Sequence, residues 1–187
     1  MSSLRRSAAL LAGPALAVLL ATTVAAGPSG PRHAHGTFHL APIDASTPAV
    51  AIGWVKLTED RNGVVHVNVK VEGLTTGLHG IHIHTTGSCT PTFAAAQGHY
   101  NPAPTHEHGL DNPNGPHAGD LPNLVVDLDG NGTLNAKTDR VSIAELVAGD
   151  GSAFIIHANQ DTQTTTPGEN GPGNSGGRIA CAVVQAD

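Results

Sequence analysis

From Thr37 onward, apolar and polar residues alternate with the period of half-buried strands. Residues 49–57 read as one strand. Val65, Val67, Val69 and Val71, separated by His66, Asn68 and Lys70, give the clearest alternation in the chain. Between the two runs, Glu59-Asp60-Arg61-Asn62-Gly63 supplies hairpin-turn chemistry. Further strands are expected at about residues 80–84, 123–129, 132–137, 153–158 and 178–185, with only residues 141–147 hinting at a helical turn. An all-β barrel or sandwich accommodates this pattern. Two stretches without apolar period, 85–121 and 159–177, are dense in Gly, Pro, Asn and Thr. Loops of that length in a compact domain are usually functional or disordered. Residues 27–36 also lack a period and are expected to form a flexible tail, which leaves 37–187 as the folded domain.

The first 26 residues change the picture of where the chain works. Arg5 and Arg6, an apolar run from Ala8 to Leu20 and Val24-Ala25-Ala26 have the order of a secretory signal peptide. Gly13 and Pro14 interrupt the run, so no stable membrane insertion is expected once it is removed. The chain is expected to be exported, to the periplasm, cell envelope or extracellular space. Without that segment seven basic side chains face 15 acidic ones, a formal charge of −8, which argues against a nucleic-acid partner. The chain has two cysteines, Cys89 and Cys181, and an isolated pair in an oxidising compartment is read first as a disulfide. Nothing in the alternation identifies an oligomer face, so a homodimer stays open.

Histidine is over-represented, with 12 residues against nine Lys and Arg together. Neutral imidazole is a common metal ligand. His82-Ile83-His84 puts two imidazoles on one face of a strand, about 7 Å apart along it. The pair alone is a weak signal. The long loop after it adds His99, His106, His108, His117 and Asp120, and His157 ends the apolar run 153–156. Nitrogen-rich sets suit copper and zinc, and three histidines with one Asp suit a closed tetrahedral zinc site. His106-Glu107-His108 lacks the helical spacing of a zinc protease, and no Glu follows His84 where a cupin would need one. His33 and His35 repeat the H-x-H spacing but fall in the expected tail.

Four separated stretches, residues 77–84, 98–102, 117–124 and 173–181, closely resemble the signatures of copper/zinc superoxide dismutases, in that family's order. The resemblance covers about residues 37–185. It implies an antiparallel Greek-key β-barrel with two long functional loops, superoxide as substrate, and copper and zinc as cofactors. It further implies copper ligation by His82, His84, His99 and His157, and zinc ligation by His99, His108, His117 and Asp120, with His99 shared. His106 remains an alternative to His108. Cys89 and Cys181 match the family's disulfide, Arg178 its anion-docking arginine, and Asp161 its carboxylate linking ligands of both metals. His79 is expected beneath the copper ligands, and His99 to serve as proton donor. One departure is that residues 162–173 contain Glu169 but no lysine, where many members place lysines that attract superoxide. A copper chaperone or a metal-storage module on the same barrel would lack turnover.

Overall fold

The computed structural model describes residues 30, 32–40, 49–164 and 172–187. The expected leader, residues 1–26, lies outside the described residues. Its strands are β1 (His33–Leu40), β2 (Ala51–Glu59), β3 (Val65–Val71), β4 (Gly77–His79), β5 (Ile81–His84), β6 (Leu124–Val126), β7 (Gly132–Thr138), β8 (Ala153–His157), β9 (Arg178–Val183) and β10 (Gln185–Ala186). One short helix, α1 (Ile143–Leu146), follows β7. Ser142 and Glu145 form a reciprocal cap at its start, and the buried Glu59 carboxylate accepts from the Ile143 amide at 2.9 Å.

Part of the expected tail is strand. Residues 33–36 pair with β2 from His33 opposite Thr58 to Gly36 opposite Val55, and Ala34 is buried. The inward positions here are Ala34 and Gly36, which carry almost no apolar signal. Gly36 has to be small, because a Cβ there would lie 2.7 Å from the Val183 carbonyl oxygen.

The strands form a single antiparallel sheet in the order β4-β6-β7-β3-β2-β1-β9-β8-β5, with β10 beside β1. The first and last strands of that order are consecutive in the chain, joined through Gly80 alone. The strand expected at 80–84 is thus the far half of a longer strand that bends at Gly80 and closes the barrel. β6 stops at Val126 because the Asp127 carboxylate turns the chain, accepting from the amides of Asp129 and Asn131.

Alternate residues point inward to one core that includes Phe38, Val55, Leu57, Val67, Ile81, Ile83, Leu124, Phe154 and Ile156. Each such side chain contributes roughly 1.5–3 kcal/mol on burial. β5 and β8 are buried on both faces. Ile81, Ile83, Phe154 and Ile156 face the barrel, which sends His82, His84 and His157 to the other side, beneath the loops. A smaller apolar cluster of Phe93, Ala96, Ala153, Ile155 and Cys181 lies on that outer side. There the Cys89–Cys181 disulfide, spanning 92 positions, fastens the loop to β9.

Candidate metal centre

The long loop returns to the barrel edge and is sewn onto β5. The Ile83 amide donates to the Gly119 carbonyl at 2.9 Å, and the Tyr100 amide donates to the Ile83 carbonyl at 2.8 Å. A Cβ on Gly119 would fall 2.3 Å from the Ile83 carbonyl oxygen, so only glycine lets the loop approach this closely. Isolated bridges then set His99 opposite His84 and Asp120 opposite His82. Residues far apart in sequence thereby become neighbours, and two groups of donors result.

The first group is His82, His84, His99 and His157, whose ligand atoms lie within 4.8 Å of one another. One nitrogen of each strand-borne ring is held by a hydrogen bond. His82 Nε2 donates to Asp161 Oδ2 at 2.5 Å, His84 Nδ1 to the Gln97 carbonyl at 2.7 Å, and His157 Nδ1 to the Gly176 carbonyl at 3.0 Å. The opposite nitrogens, His82 Nδ1, His84 Nε2 and His157 Nε2, are buried and have no hydrogen-bond partner among the described residues. Three orphaned lone pairs in one pocket are costly unless a cation takes them. Burial, aided by the neighbouring histidines, pushes the imidazoles down, His82 to about 3, His84 to about 2 and His157 to about 4. All three rings are therefore neutral, with the lone pair of the unpartnered nitrogen unprotonated, which is the state a metal needs.

The second group is organised around Asp120. Its Oδ1 accepts from His99 Nδ1 at 2.9 Å and from His108 Nδ1 at 3.0 Å, with His117 Nδ1 at 3.5 Å. Its Oδ2 accepts from the amides of Gly109 and His117. Burial opposes a charge on Asp120, but the hydrogen bonds from the three histidines override it and hold the carboxyl far below its ordinary range. Burial also opposes a charge on His108, yet its bonds to Asp120 and Asp161 raise it to about 9. Because the two nitrogens of an imidazole lie on opposite sides of the ring, placing His99 Nδ1 in this group leaves His99 Nε2 for the first.

Asp161 links the two groups, accepting from His108 Nε2 on Oδ1 at 3.0 Å and from His82 Nε2 on Oδ2. Gly173 covers this link at φ +62°, where a Cβ would sit 1.9 Å from Asp161 Oδ1. His79 is buried below, with Nδ1 2.7 Å from the His157 carbonyl oxygen. His106 is exposed and donates from Nδ1 to the Pro116 carbonyl at 3.2 Å, whereas His108 is the one hydrogen-bonded to Asp120. Arg178 begins β9, and its guanidinium donates to the carbonyls of Phe93 and Gln97, both at 2.6 Å. Its charge also helps keep His84 and His157 unprotonated.

Three further residues shape the site without a role assigned to them from the sequence. Gln97 has φ +63°, and its single carbonyl receives both His84 and Arg178. Arg140 Nη2 donates to the Asp120 carbonyl at 2.7 Å. Asn123 binds both the amide and the carbonyl of Asp161, and of the three it alone lies inside a recognisable motif.

Residues 51–184 match the family model for copper/zinc superoxide dismutase. The chain belongs to the copper/zinc superoxide dismutase family. A dismutase of this family from Caulobacter vibrioides is 38% identical over 140 residues, covering 71% of this chain and 78% of that protein. Among solved structures, the Cu/Zn superoxide dismutase from Brucella abortus superposes with a TM-score of 0.67 at 29% identity, covering 82% of this chain and 99% of that one. A SOD-like protein from Bacillus subtilis gives 0.67 at 33% identity, over 80% and 96% of the two chains.

Proposed function

We propose that this chain disproportionates superoxide to oxygen and hydrogen peroxide, using copper held by His82, His84, His99 and His157 and zinc held by His99, His108, His117 and Asp120. The observation that carries the reading is the set of three buried, unpartnered imidazole nitrogens beside a carboxylate-centred cluster, the two joined through the two sides of His99. All-nitrogen and mixed nitrogen–oxygen donor sets fit copper and zinc respectively.

Bound in the first group, copper supplies one-electron redox chemistry, while zinc supplies fixed charge without redox. The residues do the rest. Arg178 offers the anion a guanidinium held by two carbonyls next to His84, so the approaching charge meets a donor already oriented. His99 Nε2 is a place to hold a proton between the two half-reactions, because Nδ1 stays anchored in the Asp120 cluster. Asp161 fixes the orientation of His82 and His108 together. Cys89–Cys181 holds the loop containing Phe93 and Gln97 against β9, and with it the guanidinium.

Export is part of the same proposal, supported by the disulfide and by the basic-then-apolar order of residues 1–26. The test is metal analysis of the mature protein together with a superoxide-consumption assay. One copper and one zinc per chain with rapid consumption is the expected result. A single metal after loading with both would overturn the two-metal assignment, and two metals without turnover would make the chain a storage module.

A further inference from the structure

The outward face of β1 carries a separate grouping of donors. His33 and His35 are both exposed on it, with Ala34 buried between them. β10 runs antiparallel alongside, with Ala34 opposite Ala186 and His35 opposite Gln185. That register brings Asp187 opposite His33, and the Asp187 amide donates to the His33 carbonyl at 3.2 Å. Opposed residues in an antiparallel pair share a face. Two imidazoles and a carboxylate therefore share one exposed patch. His35 Nδ1 donates to Asp187 Oδ1 at 2.6 Å. A carboxylate on one ring nitrogen fixes the tautomer and makes the other nitrogen a better ligand, the arrangement seen behind metal-bound histidines.

We propose that His33 and His35 form an outer binding site for one divalent transition-metal ion of the copper, nickel or zinc class, with Asp187 orienting His35 and offsetting the ion's charge. The two histidines stand at i and i+2 on a strand, Cα atoms about 7 Å apart, a separation two imidazoles can close by side-chain rotation. His33 can rotate, since its ring is exposed and its one side-chain partner among the described residues is Thr58 Oγ1 on the facing strand, at a long hydrogen-bond distance of 3.5 Å. The cation facing this patch from β2 is Lys56, opposite His35. Its ammonium lies 4.8 Å from the Trp54 ring centroid, drawn toward the next row of the sheet and away from His33. Copper(II) should bind most tightly, following the general order of divalent affinities for nitrogen donors.

The experiment titrates copper(II) into holoprotein whose buried centre is already filled, following heat and visible absorption. The wild type should take up one further equivalent per chain. H33A and H35A should each weaken that uptake at least tenfold, D187N should weaken it several-fold, and the double variant H33A/H35A should abolish it. All should retain the dismutation rate. H66A, which removes a histidine on β3 two strands away, should leave the extra equivalent in place. Absence of a further equivalent in the wild type, or undiminished uptake by the double variant, would overturn the proposal. Incomplete filling of the buried centre would show beforehand as a metal deficit, so the two assignments fail separately.

Discussion

The two halves of the buried centre handle charge in opposite ways. The unpartnered nitrogens of His82, His84 and His157 have no hydrogen-bond partner among the described residues, and burial keeps the rings neutral. Around Asp120 a buried carboxylate collects three histidines, and His108 takes a proton readily. In one half a cation would meet only lone pairs; in the other it would replace a proton that the carboxylates already stabilise. The contrast suits a redox ion, whose charge changes during turnover, in the first half, and an ion of constant charge in the second.

The largest disruption should come from His99, the residue assigned to both metals, whose Nδ1 lies at the Asp120 carboxylate while its ring belongs with His82, His84 and His157. His99→Ala should lower dismutation by about 10³-fold or more, equivalent to about 4 kcal/mol, and weaken both metals together. Loss of one metal only, measured by elemental analysis, would separate the halves.

Acidity should distinguish them in the metal-free protein. His82, His84 and His157 have folded-state pKa values below the ordinary 6.5. The unfolded chain then binds more protons, so their stabilisation is present above about pH 6.5 and is lost as pH falls toward about 4. His108 is raised to about 9, so its contribution is present below pH 6.5 and fades as pH rises toward 9. Denaturant midpoints should fall on both sides, and zinc loading should remove the alkaline limb. A flat profile between pH 4 and 6.5 would contradict the neutral-histidine half.

Reducing Cys89–Cys181 should cost about 2–4 kcal/mol, with hydrogen exchange rising in the 85–98 loop before it rises in the strands. Two reactive thiols in the purified exported protein would contradict the link.

Asp161→Asn tests the tie between the halves. Removing this charge from behind His82 and His108 should weaken both metals by about 10–100-fold, the range for carboxylates that orient metal-bound histidines. Unequal losses would rank the halves by their dependence on it.

Arg178→Ala should leave both metals in place and slow turnover by one to two orders of magnitude, about 1.4–2.7 kcal/mol. Arg178→Lys should fall between, since it keeps the charge and loses the fork that reaches Phe93 and Gln97. Raising salt should slow the wild type more than the alanine variant. Equal rates for wild type and alanine variant at every ionic strength would leave the guanidinium a purely structural part.

Strand alternation made the barrel legible, because Val65 to Val71 and their like carry the period of two in the residues themselves. The donor residues were legible too, since histidines and aspartates are few and chemically distinct, and four separated motifs resemble one family. The first strand was missed at Ala34 and Gly36, whose inward positions are set by close backbone contact rather than by hydrophobicity. Gln97 was also missed, because its contribution is a carbonyl aimed by a left-handed backbone, and every residue type has a carbonyl. The sequence by itself determined which donors exist and that they alternate onto the outer side of β5 and β8. Tertiary structure alone decided that His108 rather than His106 joins Asp120, that the Gln97 carbonyl receives both His84 and Arg178, and that His33 and His35 sit on a strand beside Asp187. Each of these depends on a contact between segments distant in sequence, whose distance and angle are fixed only once the loops are sewn to the barrel.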